Sequence, residues 1–329
     1  VPTHTSPRNF LIDTDTASDD AVALIMALRA PDVVVRAITV VAGNVGLEQA
    51  CRNALLVTEL CNADQVPVFA GCAKPLLRPA ADATWFHGRD GLGDQGFAPR
   101  RRFAPAAEHA VAAIARITAE HPGLTLVTLG PLTNVAAAIV GDPRIAQRVA
   151  RCVVMGGNPC CVGNVTPAAE YNIWCDPEAA EIVLRSGMPV ELVGWQLSRG
   201  EAALNPADIA AARAMGTPLA HFAIDCNGTA ASAYLAQTGE AGIALPDPVA
   251  MAVALHPAVA THVSSHAVMV ECHSELTRGQ TVVDQLNVAG DPRNAPAWAP
   301  TLRAGESTQV VWSIDVGAFK RLLLRSLGV

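Results

Sequence analysis

Apolar residues fall into two rhythms along this chain. Short runs rich in Val, Ile and Leu alternate with longer stretches in which apolar positions recur every three or four residues. That is the pattern of a parallel sheet whose strands are joined through helices packed on its faces. Residues 10–13 read as the first strand. Residues 19–29 read as a helix, with Val22, Ile25 and Met26 on a buried stripe and two acids in the first turn, where the helix dipole favours negative charge. Further strands are predicted over 33–41, 66–69, 124–129, 152–155 and 190–193, with helices near 47–61, 107–121, 132–140 and 177–185 between them. The last third changes character: helices near 206–236 and 247–255 lead to strands near 265–272, 281–288 and 308–314 and a closing helix. No linker separates this part, so the expectation is one domain over 1–329, an α/β fold with an open, mostly parallel twisted sheet and helices on both faces.

Composition narrows the class. With 329 residues, 51% hydrophobic and 16% charged, the chain can bury a full core, which excludes disordered and fibrous proteins. The net charge of −7 carries no dense basic run, which argues against a nucleic-acid polymer as partner and for a small ligand. Nine cysteines lie scattered without CxxC or zinc-ligand spacing, and no basic start leads into an apolar stretch, so reduced thiols and a cytoplasmic location are expected. No apolar run reaches the ~20 residues of a membrane span.

In open α/β sheets, ligands bind where the carboxyl ends of the strands meet the loops. Strand one ends in Asp13-Thr14-Asp15-Thr16-Ala17-Ser18-Asp19-Asp20, strand two in Gly43-Asn44, the strand near 129 in Gly130-Pro131-Leu132-Thr133-Asn134, and the next in Met155-Gly156-Gly157-Asn158. Four acids within eight residues repel one another, and unpaired burial of carboxylates is costly, so their concentration at a strand end predicts a bound cation. Oxygen-only ligands favour calcium or magnesium over zinc. The competing reading is that Asp19 and Asp20 cap the helix and Asp13 faces solvent.

These residues carry a family resemblance. DTDTASDD after the first strand resembles the aspartate cluster of the inosine-uridine-preferring nucleoside hydrolases. Asn44, the segment Leu129-Gly130-Pro131-Leu132-Thr133-Asn134, Met155-Gly156-Gly157 followed by Gly163-Asn164, Glu170-Tyr171-Asn172 and Asp176-Pro177-Glu178-Ala179-Ala180, and finally Asp247-Pro248 repeat that family's motifs in order over roughly 10–325. The resemblance implies Ca²⁺-dependent hydrolysis of the N-glycosidic bond of a small-molecule ribonucleoside, and a homodimer or homotetramer. It assigns Ca²⁺ to Asp15, Asp20, Asp247 and the carbonyl of Leu129, and makes Asp15 the base that takes a proton from the attacking water. Asp19, Asn44, Asn164, Glu170 and Asn172 would grip the ribose and stabilise an oxocarbenium-like transition state. For each of these polar residues a loop hydrogen bond competes with ligand contact; beside Tyr171, ligand contact is favoured for Glu170 and Asn172.

There are departures from the pattern. Pro246 stands where family members place a histidine that protonates the leaving base, or a tryptophan that activates a purine by stacking. His87, in Trp85-Phe86-His87-Gly88 of a long loop resembling the family's flexible flap, is the candidate acid, and Tyr234 a candidate base contact on a helix. Thr16-Ala17 replaces the family's Pro-Gly, which predicts an altered turn rather than loss of metal. Gly91-Leu92-Gly93-Asp94-Gln95-Gly96 fits GxGxxG but follows no strand and is read as loop glycine. Residues 10–16 also fit the DxDxT motif of haloacid-dehalogenase-type Mg²⁺ phosphohydrolases, with Asp13 as nucleophile, yet neither Lys74 nor Lys320 is placed to balance a phosphoryl charge. A non-catalytic Ca²⁺ and ribose binder is the third reading.

Overall fold

The computed structural model describes residues 7–99, 104–294, 296 and 308–328. Ten strands form two sheets: β1 (Arg8–Thr14), β2 (Val33–Val40), β3 (Val68–Ala70), β4 (Leu124–Thr128), β5 (Val149–Met155), β6 (Val190–Val193), β7 (Ala260–His266), β8 (Val268–Val270), β9 (Thr281–Val283) and β10 (Thr308–Ile314). Eight of them make one sheet in the order β3-β2-β1-β4-β5-β6-β10-β7, parallel except for the antiparallel edge pair β10 and β7; β8 and β9 form a separate antiparallel pair. The expected open α/β sheet is present.

Strand β1 shows why its sequence forms a central strand. Phe10 and Ile12 enter one core with the helices Ser18–Leu28, Leu47–Leu60 and Pro246–Leu255, whereas Leu11 enters the opposite core with Ala110–Glu120, Thr133–Gly141 and Pro177–Leu184. Both faces are therefore covered, which makes the strand apolar throughout rather than alternating. The order reverses between β1 and β4, and at such a switch point the loops after adjacent strands diverge and leave a crevice.

The structure corrects several expected boundaries. The helix expected over 206–236 is three, Pro206–Ala214, Pro218–Asp225 and Gly228–Thr238. Gly216 adopts φ +65°, Pro218 begins the second helix, and the Thr217 hydroxyl accepts from Ala220 N to cap it. The strand expected over 265–272 starts earlier, at Ala260, and divides at Ala267 between the two sheets. The strand expected over 281–288 stops at Val283, ahead of a left-handed Asn287 and a 3₁₀ turn. The residues around His87 are not simple loop: Thr84–His87 is a single helical turn. The glycines of the GxGxxG segment sit in turns with positive φ, as expected for loop glycine. Among the described residues, no helix is long and apolar enough to cross a membrane.

Candidate active site

The loop after β1 folds back on the first helix. Thr14 Oγ1 donates to Asp20 Oδ1 at 2.6 Å, while Asp20 Oδ2 accepts from Ala17 N at 2.9 Å and from Asn44 Nδ2 at 3.4 Å. Asp20 thus closes the helix N-terminus, as the capping reading expected, and is fully buried while doing so. Asp19, Asp20 and Asp247 each offer a carboxylate oxygen, and the three lie within 4.8 Å of one another. Asp247 arrives from the first turn of the helix Pro246–Leu255, over 220 positions away in sequence.

Asp15 lies beside this triad. Its Oδ2 accepts from Asn44 N at 2.6 Å, and its Oδ1 is buried with no protein partner. The backbone closes tightly around it: a Cβ on Gly43 would lie 2.1 Å from Oδ2, and one on Gly130 2.6 Å from Oδ1. Gly43→Ala is therefore expected to displace the Asp15 carboxylate. The outcome to measure is at least a 100-fold loss of turnover in a variant that still folds, with wild-type-like turnover counting against the assignment.

Four buried acids in contact repel. Burial raises the pKa of Asp15, followed by the charge of Asp20, and the same two causes raise Asp247. Burial also lifts Asp19 to about 6. Buried like charges and carboxylate oxygens without donors, Asp15 Oδ1 and Asp19 Oδ1, fit a hard divalent cation.

Around the acids opens a cleft of about 770 Å³, partly open to solvent. Asp19, Asn44, His87, Leu129, Asn164, Glu170, Asn172, Tyr234 and Asp247 all line it, so the structure gathers nearly all the sequence-predicted site residues. Asp15 and Asp20 are fully buried and are not among its lining residues. Leu129 O accepts from Asn172 Nδ2 at 2.9 Å, which leaves a second lone pair. Both readings hold for Glu170: it lines the cleft, yet Oε1 accepts from Asn172 N and Oε2 from Gly157 N and Ile173 N, capping the short helix Tyr171–Cys175. Burial pushes its carboxyl up to about 7. Asn164 Oδ1 accepts from Tyr171 N at 2.9 Å.

His87 is buried, its Nδ1 2.8 Å from Ser18 Oγ and 3.8 Å from Asp19 Oδ1. Burial pushes its pKa down to about 4, so at neutral pH the ring is uncharged. Pro246 lines the cleft, next to Asp247.

Asp13 has a different place. Its Oδ1 accepts from Thr39 Oγ1 at 2.5 Å and Asn134 Nδ2 at 2.9 Å, tying β1 to β2 and to the helix Thr133–Gly141; it is fully buried and absent from the cleft lining. The solvent-facing Asp13 considered above does not agree with that position. Lys320 pairs with Asp208 at 2.6 Å, and Lys74 is exposed.

Sequence reasoning missed Trp195, Ser198, Asn227 and Gln237, which also line the cleft. Asn227 is 1% exposed and donates to Ser18 O and Ala223 O.

The model of the family described as "Inosine-uridine preferring nucleoside hydrolase" matches residues 10–321. The pyrimidine-specific ribonucleoside hydrolase RihA of Salmonella enteritidis is 38% identical over 297 residues, covering 90% of this chain and 94% of that protein. Among solved structures, a plant nucleoside hydrolase, the PpNRh1 enzyme, superposes with a TM-score of 0.89 at 30% identity, covering 98% of this chain and 99% of that one. A purine-preferring ribonucleoside hydrolase from Gardnerella vaginalis gives 0.86 at 29% identity, covering 97% and 98%. The chain therefore belongs to the inosine-uridine preferring nucleoside hydrolase family, whose members hydrolyse the N-glycosyl bond of ribonucleosides.

Proposed function

We propose that this enzyme cleaves ribonucleosides to ribose and free base with a Ca²⁺ ion held by Asp15, Asp20, Asp247 and the Leu129 carbonyl, and with Asp15 as the base. The observation that carries this reading is the buried carboxylate cluster, of which Asp19 and Asp247 line the cleft, with one Asp15 oxygen left without a donor. A bound Ca²⁺ would offset the carboxylate charge and acidify a water at the anomeric carbon.

Asp15 Oδ1 would serve as the base toward the attacking water, while Oδ2 is fixed by Asn44 N. Asp19, Asn44, Asn164, Glu170 and Asn172 hold the ribose hydroxyls, and the anionic surroundings stabilise positive charge developing on the ring as the base departs. Asp19 also belongs to the close acidic triad, so its carboxylate would serve both sugar and cation. His87 would assist departure of the base as a neutral donor through Nε2 in the tautomer in which Ser18 Oγ donates to Nδ1. His87→Ala is expected to lower turnover roughly 10- to 100-fold with little change in ribose affinity; unchanged turnover would remove His87 from the mechanism.

The test is a reducing-sugar assay against uridine, cytidine, inosine and adenosine. Ribose release from at least one supports the reading. Relatives named as pyrimidine-specific and as purine-preferring make both base classes necessary in the panel. Silence across the panel, with nucleoside still bound, would instead favour a binding protein.

A further inference from the structure

One peptide of this site is held on both sides. The Gly43–Asn44 peptide follows β2 and is trans, so its carbonyl and its N–H point to opposite sides of one rigid plane. On one side Asn44 N donates to Asp15 Oδ2 at 2.6 Å; on the other the Gly43 carbonyl accepts from the Tyr171 hydroxyl at 3.0 Å. Tyr171 belongs to the short helix Tyr171–Cys175, 128 positions along the chain, where its own backbone is fixed: its N–H donates to Asn164 Oδ1, and Glu170 caps the turn. Its ring is buried in one cluster with Ala83 and Cys175, against which Phe86 and Trp174 pack.

The clamp bears on orientation. Asp15 Oδ1 has no protein partner, so the bond at Oδ2 decides how the carboxylate is turned. If the Gly43–Asn44 plane could rotate, it would carry that bond with it, and because a misplacement on the order of 1 Å costs about 100-fold in rate, a smaller tilt is enough to register. A donor on the carbonyl also polarises the peptide, which strengthens its N–H toward the carboxylate. Burial, first of all, holds the Tyr171 phenol and the neighbouring Cys175 thiol above their ordinary ranges, so the phenol keeps the hydrogen that it gives to Gly43.

We propose that Tyr171 is a positioning residue: its hydroxyl locks the Gly43–Asn44 peptide and, through that peptide, sets the Asp15 carboxylate for the attack of water. This rests on the reading of Asp15 as the base given above. The same hydroxyl ties the loop after β2 to the segment that carries Glu170 and Asn172, so the base and two of the side chains proposed to hold the ribose keep one register.

The experiment is Tyr171→Phe, which keeps the packed ring and removes only the hydroxyl. On the best substrate among uridine, cytidine, inosine and adenosine, kcat is expected to fall roughly 10-fold with KM within about 2-fold of wild type. A second readout needs no turnover. Glycine labelled with ¹³C at the carbonyl and asparagine labelled with ¹⁵N select Gly–Asn peptides by NMR, of which the chain has three, at 43–44, 157–158 and 163–164. Loss of the hydroxyl should move the Asn44 amide proton upfield and leave the other two in place. General damage around Tyr171 would move all three, because Gly157 N bonds Glu170 and Asn164 bonds Tyr171 N, and that result would count against the proposal. Should Tyr171→Phe fail to fold, 3-fluorotyrosine in a Tyr234→Phe background labels Tyr171 alone; its more acidic phenol is the stronger donor and should shift the Asn44 amide downfield. An unmoved Asn44 amide, kcat within about 2-fold of wild type, or a loss confined to KM would overturn the assignment. Failure of wild type to cleave any of the four nucleosides would instead overturn the hydrolase reading, while the Asn44 signal still decides whether the clamp exists.

Discussion

Asp15→Asn is expected to cut the rate of ribose release by about 10³-fold or more while nucleoside affinity stays within a few-fold of wild type. The two side chains are nearly isosteric, and the Asn carbonyl can still accept from Asn44 N, where Asp15 Oδ2 now sits at 2.6 Å. The difference falls at Oδ1, the oxygen buried without a partner, where an NH₂ group cannot take a proton. A smaller residue there would confound the test, because Gly43 and Gly130 close so tightly on the carboxylate that removing it leaves a void. Kcat from steady-state ribose release, with affinity from calorimetry, separates the two effects. A variant that kept its turnover would leave the protein without the base assigned to it.

The second large effect concerns the apo protein and pH. Burial lifts the folded-state pKa of Asp13 and Glu170 to about 7 and of Asp19 to about 6, and raises Asp15, Asp20 and Asp247 in the same direction. A carboxylate whose pKa is higher in the folded state holds protons there that the unfolded chain has already released. Stability from such groups is present at low pH and falls as the pH rises from the ordinary carboxylate range near 4 toward about 7. Chelator-treated protein should therefore melt on the order of 5–10 °C lower at pH 7.5 than at pH 5.5, where ion-paired carboxylates elsewhere remain ionised. Saturating Ca²⁺ should raise the melting temperature most at pH 7.5, because a ligand that binds only the folded state stabilises it, and this one favours the ionised carboxylates. A metal-free protein that became more stable between pH 5.5 and 7.5 would contradict the burial of these acids.

Much of this arrangement was legible in the chain because its causes are local. Phe10, Leu11 and Ile12 are apolar in succession since each face of β1 is covered by helices, and the acids follow at once because the strand ends at the switch point. Where the reading slipped, short-range backbone chemistry overrode an apolar rhythm: Gly216, Thr217 and Pro218 divide one apparent helix, and a left-handed Asn287 follows a strand that ends early. Asp13 was misplaced for another reason. Its partners, Thr39 and Asn134, come from two other elements, and no spacing within 13–20 distinguishes an acid that ties strands together from one that faces a ligand. The link between Tyr171 and Gly43 was equally out of reach, since the two stand 128 positions apart.

The most direct test of the account is ribose release by chelator-treated enzyme before and after Ca²⁺ or Mg²⁺ is restored, using the best nucleoside of the panel. Chelation is expected to abolish release, and Ca²⁺ to restore it more fully than Mg²⁺, because an all-oxygen carboxylate and carbonyl site suits the larger ion. Undiminished hydrolysis in the fully metal-free protein would contradict it, and the acidic cluster would then need another purpose.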